Sequence, residues 1–237
     1  MYETNSGIII PSKKELEKLF MDGHDGDIYR HLNYAIKFVR GEIPNMKLGK
    51  LQDFIEMLVH ELLISPKEAV YDKEGNYVAY LMDYIEDKGI KSLSCDTFLE
   101  CVENLRACFD LFTNNGVYAF DAHGGNIIVN EKIYLIDFDR FWFEEDKKKL
   151  AEGNSSRYDR LIWGMIKVAF VLSFNVRYKK DDYEPWLKCC EPFHNWLDMK
   201  IDEYDALDFF AEEFKNYQRV EEYILDRRDH IVKKYSK

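Results

Sequence analysis

The chain has 237 residues, 46% hydrophobic and 15% aromatic, enough for one large domain or two small lobes around a well-packed core. Its 44 acidic against 33 basic residues leave a formal net charge of -11, which argues against binding to a phosphate backbone, so no nucleic-acid partner is expected. Cys95, Cys101, Cys108, Cys189 and Cys190 show neither CxxC pairs nor a His partner at ligand spacing, suggesting neither a zinc site nor a disulfide framework.

The opening "MYETNSGIIIPSKKELEK" carries only three isoleucines before Pro11, too little apolar run for a secretory leader, and a cytoplasmic address is expected. Strands are predicted at "EKLF", "IYR" and "YAIKFV". The run "KLQDFIEMLVHELL" then reads as a helix with Leu51, Phe54, Ile55, Leu58, Val59 and Leu62 on one face and Glu56 near its edge. Strands follow at "EAVYD" and "YVAYLMDYI", either side of the turn "KEGN". This is an α+β pattern whose first part, residues 1–86, is a small antiparallel sheet with one helix. A polar, glycine-containing joint, "EDKGIKSL", leads into a mostly helical second part, residues 87–237. There the helix "TFLECVENLRACFDLFTNN" precedes a hairpin and three or four further helices. The longest apolar stretch, "LIWGMIKVAFVLSF", is interrupted by Lys167 and too short for a bilayer, so it reads as a buried helix and no transmembrane segment is expected.

The hairpin "FDAHGGNIIVNEKIYLIDFD" carries the chemistry. Asp121 and Asn126 stand either side of "AHGG", and Asp137 closes the second strand. These oxygen donors suit a hard cation such as magnesium, and a loop and a strand end bring them to one edge of the hairpin. The plainer alternative is that Asp121 caps a turn, Asn126 makes an Asx turn and Asp137 merely ends a strand. Lys37, in the middle of the apolar strand "YAIKFV", is costly there unless its ammonium meets an anion. Glu56 is the expected partner, with Glu61 as the fallback.

In this order the motifs resemble those of the protein-kinase-like phosphotransferases, over roughly residues 15 to 175. The fold implied is two-lobed, with residues 1–86 as the nucleotide-binding lobe and 87–237 as the helical lobe. "YAIK" resembles the strand motif V-A-I-K, implying that Lys37, oriented by Glu56, clamps the phosphates of ATP. "MDGHDGDI" resembles the glycine-rich loop, with Met21 in place of its first glycine, implying Gly23 and Gly26 as phosphate contacts. "DAHGGN" resembles the catalytic loop, with Asp121 as base and Asn126 as a magnesium ligand, and "IDFD" resembles D-F-G, with Asp137 as the main magnesium ligand and Asp139 where glycine is usual. "YLMDYIE" resembles the strand and hinge that hold adenine, implying Met82 as gatekeeper and Asp83 to Ile85 as backbone contacts. "YDRLIWGM" is similar to the helix whose aspartate braces the catalytic loop, here Asp159. His123 is either a packed histidine or a contact to phosphate or acceptor.

Some features depart from that pattern. Ala119-Phe120 stands where His-Arg usually precedes the catalytic aspartate, the segment from Asp137 to Asp159 is short, and no A-P-E follows. Activation by loop phosphorylation and a peptide-docking platform are therefore not expected. The function implied is an ATP- and magnesium-dependent kinase of a hydroxyl on a small molecule or sugar, since "DAHGGN" and "LIDFDR" are similar to aminoglycoside phosphotransferases and lipopolysaccharide-core kinases. Alternatives are a minimal Ser/Thr kinase with a protein substrate, a nucleotide-binding pseudokinase and, least of all, a helical binding module. The acceptor wall is expected from "FWFEEDKKKLAEGNSS" and the helices after Phe174, where the acids of "DDYEPW" and "DMKIDEYD" enclose a small molecule or form a solvated face.

Overall fold

A computed structural model describes residues 1–20, 26–39, 53, 56–173, 191–201 and 203–235. The chain is α+β, and its larger sheet is built from β1 (Tyr2–Thr4), β2 (Ile9–Ile10), β3 (Glu17–Phe20), β4 (Gly26–His31), β5 (Tyr34–Val39), β6 (Glu68–Tyr71) and β7 (Tyr77–Asp83). The strands lie in the order β2-β1-β6-β7-β5-β4-β3, and every neighbouring pair is antiparallel. The predicted strands are all present. The edge pair β1 and β2 was not predicted, because three- and two-residue strands are too short to display a period of two.

Side-chain alternation divides β5 between two cores. Ile36 and Phe38 pack with Tyr29, Val70, Ala79 and Leu81 on the outer face. Ala35 faces the other way and joins Tyr80 and Met82 in the core shared with the helical half. Lys37 has the same parity as Ala35, so the strand's one charge is directed at that interior. A two-residue turn joins β4 to β5, with Leu32 in the left-handed region at φ 55°. Gly26 opens β4 opposite Val39, where a Cβ would sit 2.4 Å from the Phe38 carbonyl oxygen. Its missing side chain permits close strand approach, and the glycine expected as a phosphate contact stands at the start of β4, in the β4–β5 ladder. Gly23 lies outside the described residues.

The predicted helix before β6 is described only at residues 53, 56 and 57, so Leu51, Phe54 and Ile55 lie outside the described residues. It ends sooner than the apolar pattern implies. Leu58 is buried but Val59 is 75% exposed. Beyond it, Leu62 to Ile64 run alongside the later hairpin, where the Leu135 N–H donates to the Leu62 carbonyl at 2.9 Å and the Ile64 N–H to the Leu135 carbonyl at 3.0 Å. Tertiary pairing has overridden helical periodicity there.

Among the described residues five α-helices follow the sheet. They are α1 (Cys95–Asn114), α2 (Lys147–Ser173), α3 (Glu191–Ile201), α4 (Ala206–Glu213) and α5 (Val220–Tyr235). Ser94 caps α1 by accepting from the Thr97 N–H at 3.0 Å. Its buried stripe Phe98, Cys101, Val102, Leu105, Cys108, Phe109 and Phe112 has helical spacing. Between α1 and α2 lie β8 (Val117–Tyr118), the hairpin β9 (Ile127–Val129) with β10 (Ile133–Leu135), and β11 (Trp142–Phe143), which pairs with β8. Cys95, Cys101 and Cys108 are buried free thiols. Among the described residues no helix is long and apolar enough to cross a membrane.

Candidate functional site

The β9–β10 hairpin places Asn126 just before its first strand and Asp137 just after its second, so both stand at one end. The Ile136 N–H donates to the Asn126 carbonyl at 3.0 Å, and the Asn126 side-chain amide donates to the Asp121 carbonyl at 3.0 Å. That second bond uses the Nδ2 of Asn126 and leaves its Oδ1 as an acceptor. Asp121 is thereby tied to the same hairpin end. Its carboxylate lies between two basic side chains, with Arg140 Nε 3.8 Å from one oxygen and His123 Nε2 3.9 Å from the other. His123 is exposed, so it is not a packed core histidine.

The loop from Asp121 to Asn126 is seated on α2 by a glycine pair. A Cβ on Gly124 would meet the backbone of Gly164 at 2.2 Å, and one on Gly164 would lie 3.0 Å from the Gly124 nitrogen. Upstream, buried Asn154 accepts from the Ala119 N–H at 2.9 Å and donates to the Val117 carbonyl at 2.9 Å and the Thr113 hydroxyl at 3.0 Å. The expected brace, Asp159, lies elsewhere. It lines a cavity of about 320 Å3 with Arg106 and Asp205, and burial raises its carboxyl pKa, with the Asp205 charge adding to the effect.

Lys37 reaches this hairpin end from β5. Its Nζ is 2.6 Å from Asp137 Oδ1 and 2.7 Å from Asp139 Oδ2, joining residues one hundred positions apart. Glu56 does not take part. It is exposed, and Glu61 is turned outward to Lys132 at 2.5 Å, so the expected lysine–glutamate pairing gives way to two aspartates. The helix that carries Glu56 stops before Leu58, and that side chain is on its solvent side. Burial pulls the Lys37 ammonium pKa down, but the Asp139 and Asp137 carboxylates outweigh burial and hold it above the ordinary lysine value. The Asp139 carboxyl is pushed up by burial, against the pull of Lys37.

Asp137 has φ 66°, a left-handed conformation that costs a non-glycine residue about 1–3 kcal/mol and clusters at functional sites. Phe138, between the two aspartates, is locked in an aromatic cluster with Phe112 and Phe141 at ring distances of 6.4 and 5.1 Å. Among the described residues no three His, Cys, Asp or Glu side chains converge on a point that would hold a metal unaided. Asn126 and Asp137 supply two oxygens, and magnesium is commonly bound through one or two protein oxygens completed by phosphates and water. The donor set fits that kind of ion.

Met82 is buried opposite Ala35, and Asp83 ends β7 with its side chain on Lys67 at 2.7 Å. Ile85 packs against the shared core, and the Tyr84 N–H between them is already bonded to the Asn33 carbonyl at 3.0 Å. Next to Asp121 in the chain, Phe120 joins the half-exposed rings of Tyr118 and Trp142 in an aromatic platform. Trp142 lies 4.9 Å from both Tyr118 and Phe120, and the Arg157 guanidinium sits over Phe120 at 4.5 Å. The β8–β11 pairing puts "FWF" beside the loop. Of the acids in "DMKIDEYD", Asp198 pairs with Lys167, Glu203 with Lys200, and Asp205 caps α4; "DDYEPW" lies outside the described residues. Sequence reasoning missed Asn154 and the partnership of Asp139 with Lys37. For the latter a signal existed, since two acids at equal parity around a phenylalanine offer two counter-charges to one buried lysine. Neither the family models nor the curated proteins match this chain.

Proposed function

We propose that this chain is an ATP- and magnesium-dependent phosphotransferase with a two-lobed, protein-kinase-like architecture, acting on a hydroxyl of a small molecule or sugar. In this reading residues 1–86 are the nucleotide lobe and 87–237 the catalytic lobe. The observation that carries it is the convergence of Lys37 from β5 with Asp137 and Asp139, beside the loop that holds Asp121 and Asn126. A strand lysine, a metal-ligand pair and a carboxylate open to a substrate are the parts that phosphoryl transfer needs, because its loose, in-line transition state is served by positioning and charge neutralisation.

In this reading Lys37 holds the nucleotide phosphates, and Asn126 and Asp137 hold magnesium. Bound magnesium supplies neutralisation of the charge shared by the β- and γ-phosphates. The acceptor hydroxyl oxygen forms a bond to the γ-phosphorus while the bond from that phosphorus to the β–γ bridging oxygen breaks, its electron pair leaving with ADP. Asp121 accepts the hydroxyl proton and returns it to solvent. Arg140 and His123, at 3.8 and 3.9 Å from its two oxygens, keep that carboxylate oriented. The Tyr118, Phe120 and Trp142 platform supports a ring-bearing acceptor, against whose apolar face half-exposed aromatics can lie.

The test incubates the protein with γ-labelled ATP and magnesium, against sugars and aminoglycosides in one arm and a whole-cell protein extract in the other, with Asp121→Ala as blank. Magnesium-dependent label in a small molecule, lost in the blank, is the expected result. Label confined to proteins at serine or threonine would overturn the acceptor class. Calorimetry showing no magnesium-dependent nucleotide binding would overturn the reading as a whole.

A further inference from the structure

We infer that Asp139, held by Tyr80, is the standing counter-ion that positions Lys37, so that Asp137 is left free to exchange that lysine for a cation; this rests on the phosphotransferase reading. The pairing follows from sheet register. Lys37 and Tyr80 are direct cross-strand partners on β5 and β7, and they project to the same face. Each engages one oxygen of the same carboxylate, the Tyr80 hydroxyl donating to Asp139 Oδ1 at 2.8 Å and the Lys37 ammonium lying 2.7 Å from Oδ2. Two neighbouring strands thus grip one acid supplied by the segment after β10.

The two aspartates differ in access. The Asp139 side chain is 1% exposed, whereas that of Asp137 is 27% exposed. Asp139 has no route to a metal or a substrate, and an isolated buried charge is costly unless paired. Its chemistry is therefore to neutralise and aim Lys37. Asp137 is the accessible one, next to Asn126 at the hairpin end, and its contact with Lys37 is the one that a cation would replace. When a cation takes Asp137, the lysine still has a partner and a fixed direction. Glu56, exposed on its helix, has no part in this. Lys37 is aimed by the sheet and by the segment that carries the metal ligand, so displacement of the helix around residue 56 does not unmake the site.

Two measurements on the full chain test this. The first is nucleotide-free and reads thermal melting in a double-mutant cycle. Asp139→Asn should lower the melting temperature in the wild-type background and lose most of that effect in Lys37→Met, whereas Glu56→Gln should change it equally little in both. The second is calorimetric titration with ATP and magnesium. Asp139→Asn should weaken binding at least tenfold, Tyr80→Phe about threefold, and Glu56→Gln less than twofold, with KM for ATP rising more than kcat falls. If Asp139→Asn does not fold, Tyr80→Phe, which removes one hydroxyl, decides. Equal melting losses for Asp139→Asn in both backgrounds, wild-type affinity in Tyr80→Phe, or a tenfold loss in Glu56→Gln would overturn the inference. Failure of the wild type itself to bind nucleotide would instead overturn the phosphotransferase reading, while the melting cycle still reports on the Lys37–Asp139 pair.

Discussion

Gly124→Ala is the sharpest probe of how the loop from Asp121 to Asn126 is held. The new Cβ would sit 2.2 Å from the Gly164 carbonyl carbon and 2.4 Å from its oxygen, against 3.4–4 Å for an ordinary contact. The obstacle is helix backbone and cannot rotate away, so the loop must retreat from α2 by more than an ångström. Overpacking of this kind costs about 1–3 kcal/mol, which for a chain of this size lowers the melting temperature by about 2–12 °C. A shift of about 1 Å at a positioned catalytic group also costs on the order of a hundredfold in rate. Gly164→Ala is the internal control. Its Cβ meets the Gly124 nitrogen at the milder distance of 3.0 Å, and alanine returns about 1 kcal/mol of helix propensity, so its net effect on stability should be small. Melting curves of the two variants should therefore separate clearly and, on the phosphotransferase reading proposed above, so should their phosphoryl-transfer rates. A Gly124→Ala protein with wild-type melting and turnover would refute the close loop–helix contact.

Further outcomes follow from other contacts. Asn154→Ala leaves the Ala119 N–H and the Val117 carbonyl without a partner, and at about 1–3 kcal/mol for each orphaned group, urea unfolding should register a loss of about 2–6 kcal/mol. Burial lifts the Cys108 thiol to about 12 and the Cys95 thiol to about 11, and it raises that of Cys101 as well, so native alkylation at pH 8 followed by peptide mapping should leave all three unmodified until denaturant is added. Trp142→Ala opens the aromatic platform beside Asp121, and on the proposed phosphotransferase reading kinetics should show KM for the acceptor rising at least fivefold while ATP affinity is unchanged.

Local chemistry was legible in the sequence where one element carries its own pattern. The apolar runs "YAIKFV" and "YVAYLMDYI" marked two strands, which the sheet places side by side, and the spacing in "TFLECVENLRACFDLFTNN" marked a helix. Asn126 and Asp137 could be brought together because a short hairpin joins them. What escaped depends on contacts between distant segments. Nothing near Lys37 indicates whether its partner is nineteen residues away at Glu56 or a hundred away at Asp137. The course of the chain beyond Leu58 includes pairing with the distant Leu135, and the role of Asn154 is set by Thr113 on α1 together with Val117 and Ala119 beyond it. Asp159 shares its helix with Gly164 but lines a cavity rather than the loop.

The joint between sheet and helices has a mechanical consequence. The Lys88 N–H donates to the Val129 carbonyl at 2.6 Å, the Val129 N–H donates to Asp87 at 3.0 Å, and Asn130 donates to the Glu86 carbonyl at 3.2 Å. On the sheet side, Tyr84 is fastened to Asn33. The connection is stitched at both ends, to the sheet through Asn33 and to the β9–β10 hairpin through Val129 and Asn130, with Ile85 between them packed on the shared core. The same hairpin is also bonded to Leu62 and Ile64 through Leu135 and, through the acids that follow it, to Lys37, so parting the halves must break contacts at all of these places together.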